Sequence, residues 1–191
     1  VEEYQELFKM IQDQTGRLSH LSEVLLDMTG IQSVERSDSI SLAVLTDEVC
    51  CDLASIADQK EIELIQEDED CTVTGSYLLL YRAVYNLVEN AIKYNHSGGK
   101  VTVKISQKKD LPAAHSKPTD YALVEVTDTG IGISPEFQEK IFDPFFRVDK
   151  SRSRAMGGAG LGLALVNEIA RQHGGQRKSW NKVQNSLKNN K

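Results

Sequence analysis

Apolar side chains at Leu7, Ile11, Leu18, Leu21, Leu25 and Met28 recur at alternating gaps of four and three, broken only at Gln14. That is a heptad seam of about three repeats, the stripe of a helix that meets another helix. Gly30 and the polar stretch Gln32 to Ser39 predict its end and a linker. Leu42, Leu45, Val49, Leu53 and Ile56 then share one face of a second helix over 42–57. Alternation in Glu61-Ile62-Glu63-Leu64-Ile65 and the β-branched run Cys71-Thr72-Val73-Thr74 predict two short strands, with acidic Glu67 to Asp70 as a turn between them. The strongest helical signal covers 76–94: Leu79, Ala83, Leu87 and Ala91 stand four apart, with Leu80, Val84, Val88 and Ile92 beside them. Strands are expected at 101–106 and 121–127 around a polar, proline-containing loop at 107–120. A short helix should start at Ser134, where a hydroxyl N-cap precedes Pro135 and Glu136. A last helix over 161–172 ends before Gly174-Gly175. Helices and strands interleaved in this way predict an α+β domain, one sheet covered by helices.

Charge narrows the function classes. The 191 residues carry 22 cations and 28 acids, net −6. Residues 174–191 hold five cations and no acid, leaving 17 cations against 28 acids in the rest, a net −11. A body that acidic has no general footprint for nucleic acid or anionic lipid, so neither is expected as a partner. No apolar run approaches the roughly 20 residues of a membrane helix, and Val1-Glu2-Glu3 lacks a basic leader start. Cys50, Cys51 and Cys71 have no metal-ligand spacing, which favours reduced thiols in the cytoplasm.

Three segments carry chemistry. In Asn86-Leu87-Val88-Glu89-Asn90-Ala91-Ile92-Lys93-Tyr94-Asn95, Asn86, Asn90 and Lys93 are four and three apart and so share a helix face. Carboxamide oxygens suit Mg²⁺, a lysine one turn on suits phosphate, and Tyr94 offers a flat face for a base. The same residues also read as an ordinary solvated helix face. Asp128-Thr129-Gly130-Ile131-Gly132-Ile133 ends a strand, where glycines let backbone approach a ligand and an acceptor-only carboxylate can take a hydrogen bond from an exocyclic amine. A plain tight turn uses the same residue types. Gly157-Gly158-Ala159-Gly160-Leu161-Gly162-Leu163 opens a helix, whose N-terminal N–H groups form an anion site. Before it, Arg147, Lys150, Arg152 and Arg154 lie in or beside a charged, irregular stretch with the character of a lid.

In their order, these segments resemble the ATP-binding catalytic domain of sensor histidine kinases, in the superfamily that also holds gyrase, the Hsp90 chaperones and the MutL proteins. Asn86 to Asn95 resembles the family's N box, Asp128 to Gly132 its G1 box, Ile141 to Asp149 its F box, and Gly158 to Gly162 its G2 box. The resemblance implies a two-layer α/β sandwich of the Bergerat type, preceded by a long dimerisation helix, and the cofactors ATP and Mg²⁺. It implies Mg²⁺ on Asn90 with Asn86, phosphate on Lys93 and Arg147, adenine stacked on Tyr94, and the adenine amine read by Asp128. Gly130, Gly132, Ile133, Phe146, Gly158, Gly160, Leu161 and Gly162 complete the implied nucleotide contacts, with Asn90, Lys93 and Arg147 as the catalytic set. The expected organisation is part of a dimerisation hairpin over 1–31, a linker over 32–40, the kinase domain over 41–175 with its lid around 143–160, and a disordered basic tail over 176–191.

Gyrase-like ATPases place a glutamate four residues before the metal-binding asparagine to activate water. Asn86 cannot act as a general base at neutral pH, which favours kinase over hydrolase. Glu89 is turned about 100° from Asn90 on the helix. The family's phosphoacceptor is a histidine followed by an acid and a nearby proline, and none of His20, His96, His115 or His173 stands in that setting. The resemblance therefore implies transfer of the γ-phosphate to a hairpin histidine outside this sequence, a chain that does not phosphorylate itself, a response-regulator receiver domain as partner, a homodimer through the N-terminal helix, and a membrane-anchored parent whose kinase part is cytoplasmic. The alternative is a nucleotide-binding or dimerisation module without kinase turnover.

Overall fold

The computed structural model describes residues 4, 8, 15, 33–67, 69, 71–110, 119–148 and 160–175. The heptad seam, the acidic turn at residues 68 and 70, the 111–118 loop, most of the lid with Gly158, and the tail at 176–191 lie outside the described residues. Two compact units are present: described residues between 35 and 133 form one, and 134–175 belong to the other.

The first unit is a mixed α+β sandwich. Strand β1 (Asp38–Ser41) leads directly into helix α1 (Leu42–Gln59), followed by β2 (Glu63–Glu67), β3 (Thr72–Gly75), helix α2 (Tyr77–Lys93), β4 (Lys100–Asp110) and β5 (Thr119–Asp128). Strand β1 pairs antiparallel with β3. A second sheet has the order β2-β4-β5, with β2 parallel to β4 and β4 antiparallel to β5. The predicted helical faces are the buried ones except at Ile56, which is exposed while its neighbour Ala57 packs inward, and at Leu80, Ala83 and Leu87, which are half-buried. Leu45, Val49, Leu53 and Ala57 of α1 and Val84, Val88, Ala91 and Ile92 of α2 form one core with Val101 and Val103 of β4. Burial of each such Leu, Ile or Val is worth about 1.5–3 kcal/mol. Val101, Val103 and Ile105 are wholly buried at a period of two, so β4 is the central strand beneath the helices.

Three expectations change. The stretch read as a linker contains β1, because Ile40, 2% exposed, joins the core and ties four otherwise polar residues to β3. The strands expected at 101–106 and 121–127 run on to Asp110 and back to Thr119, held by backbone pairing through Lys109↔Asp120 and Asp110↔Thr119 rather than by apolar alternation. The two strands read on either side of the acidic turn enter different sheets.

In the second unit, Pro135–Phe137 and Lys140–Phe142 form single 3-10 turns and α3 spans Gly162–Gln172. Ser134 precedes the first turn as predicted, but its hydroxyl makes no capping hydrogen bond. Phe142, Leu161, Ala164, Leu165, Val166 and Ile169 are buried. No helix among the described residues is long and apolar enough to cross a membrane.

Candidate nucleotide-binding site

Helix α2 carries Asn86, Asn90 and Lys93, all half-buried, on the flank of the helix whose core face holds Val84, Val88 and Ile92. Asn86 Nδ2 donates to Arg82 O at 2.8 Å, which fixes the amide and leaves its oxygen as the acceptor. The Asn90 amide, one turn on, makes no side-chain hydrogen bond among the described residues. Two carboxamides with no cluster of three acidic, histidine or cysteine ligands among the described residues suit a hard cation that retains water and takes further oxygens from phosphate. Mg²⁺ fits that donor set better than a thiophilic metal does.

The end of α2 is held from two directions. Lys60, just after α1, donates from Nζ to Lys93 O at 2.9 Å and Ile92 O at 3.3 Å, so a cation sits on the negative end of the helix. Tyr94 is the C-cap, and its N–H donates to Asn90 O. Lys93 Nζ lies 5.8 Å from the Tyr94 ring centroid.

Beyond the end of β5, the turn that begins at Asp128 folds against that helix end. Gly130 N–H donates to Asp128 Oδ1 at 2.8 Å, and Ile131 N–H donates to Tyr94 O at 3.2 Å. A Cβ on Gly130 would stand 2.5 Å from Tyr94 O and 2.9 Å from Asp128 Oδ1, so the close approach admits only glycine. Gly132 has φ +67, which also favours glycine. Asp128 and Gly132 are exposed and Ile133 is half-buried. The structure thus brings Asn86, Asn90, Lys93 and Tyr94 onto one helix and its cap, and ties the Asp128–Gly130 turn to that cap.

The second unit gathers the remaining described candidates. Phe145 N–H donates to Gly160 O at 2.9 Å, and both residues are left-handed, at φ +64 and +73. A Cβ on Gly160 would stand 2.8 Å from Phe146 O and 3.1 Å from Arg147 Cγ. Phe146 packs on Phe137 with ring centroids 5.7 Å apart. Leu161 is the N-cap of α3, with no side-chain capping bond, and Gly162 is its first residue. The first N–H groups of α3 therefore have no side-chain cap, the condition under which a helix N-terminus accepts an anion. Arg147 Nη2 is buried and has no hydrogen-bond partner among the described residues. A buried cationic donor without an acceptor is costly, and an anionic oxygen supplies what it lacks.

Three residues at the helix end escaped the sequence reading as site residues: Lys60, Asn95 and Thr129. Asn95 Nδ2 donates to Lys100 O at 3.0 Å, while its Oδ1 accepts from His96 N–H at 3.0 Å and from Thr129 Oγ1 at 3.2 Å. Thr129 Oγ1 accepts from Lys100 N–H at 2.9 Å. The available signal was the polar run closing the N box, which any helix end can carry.

The fold and these motifs define a nucleotide-handling α+β domain, and the histidine kinase-, DNA gyrase B-, and HSP90-like ATPase family matches residues 75–188. The chain belongs to that family. It is 35% identical over 173 residues to the sensor-like histidine kinase SenX3 of Mycobacterium tuberculosis, an alignment covering 88% of this chain and 40% of SenX3. The chain thus spans between about a quarter and two fifths of the length of the curated relatives it matches. Among solved structures it is similar to the nucleotide-free catalytic domain of histidine kinase ThkA, at 27% identity and TM-score 0.61 over 76% of this chain and 88% of that one. The mycobacterial sensor histidine kinase MprB is similar at 28% identity and TM-score 0.56, over 72% and 80%.

Proposed function

We propose that this chain is the Mg-ATP-binding catalytic part of a two-component sensor histidine kinase and passes the γ-phosphate to a histidine on a dimerisation hairpin. The observation that carries the reading is the Asn86–Asn90–Lys93 face of α2, with the Asp128 turn fastened to its cap through Tyr94 O. Asn90 with Asn86 holds Mg²⁺, Lys93 takes phosphate, Tyr94 stacks on adenine and Asp128 accepts from the adenine amine. Arg147, Phe146 and the glycine segment 158–162 with Leu161 are assigned to the same nucleotide, Arg147 through its buried Nη2, which has no partner among the described residues. Positioning and neutralisation of phosphate charge supply the catalysis. Asn86 lacks the basicity to activate water, which favours transfer to a histidine over hydrolysis.

The acceptor belongs to a hairpin supplied by a longer chain, the next recipient is a response-regulator receiver domain, and the kinase acts in the cytoplasm as a homodimer under a membrane-anchored sensor. ATP titration with and without Mg²⁺, on the wild type and Asn90→Ala, tests the binding step. Wild type should bind in a Mg²⁺-dependent manner and the variant at least about tenfold more weakly. Absence of Mg²⁺-dependent binding in the wild type sinks the proposal. Labelled ATP should put acid-labile phosphate on a supplied histidine hairpin and none on this chain.

A further inference from the structure

We infer that Asn95 and Thr129 are positioning residues that set adenine selectivity by locking the Asp128 turn to the end of α2. The inference rests on the ATP reading above. Three segments meet at the Asn95 amide: the end of α2, the start of β4 and the turn after β5. Its Nδ2 reaches Lys100 O, and its Oδ1 takes both the His96 N–H and the Thr129 hydroxyl. Thr129 is held again through Lys100, whose N–H it accepts and whose carbonyl receives the Thr129 N–H at 3.1 Å.

The neighbouring backbone is shaped around this amide. A Cβ on Gly99 would stand 2.3 Å from Asn95 Oδ1, and one on Gly130 3.0 Å from Asn95 Cα. Asp128 is itself oriented by the turn, since its Oδ1 accepts from Gly130 N–H. Neither Asn95 nor Thr129 contacts nucleotide in this scheme. They fix where the Asp128 carboxylate stands relative to Asn90 and Lys93, four and one residues before the cap.

The selectivity follows from the carboxylate. Ionised, it only accepts, so it favours a purine with a 6-amine and opposes one with a 6-oxo group. A loosened turn lets the carboxylate withdraw from either base, which weakens ATP and relieves the penalty on ITP.

The test measures Kd for ATP and ITP, both with Mg²⁺, on the 191-residue chain, together with the melting temperature. Wild type prefers ATP. Asn95→Ala and Thr129→Val should each lower the ATP-over-ITP preference about fivefold to tenfold, the worth of one or two lost positioning hydrogen bonds. Thr129→Ser, which keeps the hydroxyl, should restore it. Equal weakening of both nucleotides, or an unchanged ratio in both variants, overturns the inference and leaves ATP binding intact. A wild type that binds ATP and ITP equally removes the Asp128 reading and this inference with it. If Asn95→Ala does not fold, Thr129→Val against Thr129→Ser decides alone.

Discussion

The two halves of the proposed nucleotide machinery are held by different physics. Around the end of α2, polar groups meet polar groups: Lys60 on the helix carbonyls, the Asn95 amide between three segments, the Asp128 turn on Tyr94 O. Around Gly160 a single backbone bond, from Phe145 N–H to Gly160 O, joins contacts that are otherwise steric and apolar: two left-handed residues and Phe146 on Phe137, with Arg147 Nη2 buried and without an acceptor among the described residues. The first half has its geometry set by bonds it makes to itself. The second carries a donor with no acceptor among the described residues, and if the proposed nucleotide supplies one, ligand binding should stabilise this half more.

Substitution at the two glycines should break this contrast most sharply. Gly160→Ala meets Phe146 O at 2.8 Å and also forces a side chain to φ +73, a combined loss of about 2–4 kcal/mol. Gly130→Ala meets only a clash, at 2.5 Å from Tyr94 O, and should lose about 1–3 kcal/mol. Urea melts give the sums. Hydrogen exchange gives the location, with faster exchange of the Phe145 amide in the first variant and of the Ile131 amide in the second. A Gly160→Ala protein as stable as wild type would remove the steric account.

Arg147→Met sharpens the contrast with an effect of opposite sign. Without nucleotide it removes a buried donor that has no partner among the described residues, so stability should hold or rise by up to about 1 kcal/mol. The increase in melting temperature on adding Mg-ATP should shrink, with affinity falling about tenfold. A large loss of stability in the nucleotide-free variant would show that the guanidinium is already satisfied.

The smallest effect is a pH dependence at the opposite, N-terminal end of α2. Tyr77 donates to Glu48, joining α2 to α1, and this bond, with burial and the Glu48 charge, pushes its phenol up to about 12 from the ordinary 10. Since the folded protein holds this proton more tightly, the stabilisation is complete below about pH 10 and is lost as pH rises through about 12. Stability measured by urea between pH 9 and 11.5 should fall more steeply in the wild type than in Tyr77→Phe. Equal slopes would remove Tyr77 from the account.

The three described helices were legible because each buries one face over at least three turns, and the Asn86–Asn90–Lys93 spacing places those residues on α2 whatever the sheet does. Strand β1 was not legible, since a single buried residue, Ile40, leaves no period to read. The outer ends of β4 and β5 were missed because Gln107 and Lys108 are exposed and the pairing there is carried by backbone alone. The motif glycines were visible as glycines. What Gly130 and Gly160 accommodate, a carbonyl from a distant part of the chain in one case and the F box in the other, is set only by the folded chain. Lys60 and Asn95 stayed hidden for a related reason: a polar residue at a helix end is common, and only the partner across the fold distinguishes a clamp from a cap.

The β4–β5 ribbon separates what can vary from what cannot. Its register runs from Val101↔Asp128 at the end of the proposed site to Asp110↔Thr119 at the other, ten residue pairs or about 30 Å away. Inserted peptides, tags or epitopes between residues 110 and 119 therefore enter at the end remote from Asp128. Length there is an engineering freedom, whereas a residue added between Asn95 and Lys100 enters the turn closed by the Asn95 Nδ2 to Lys100 O bond.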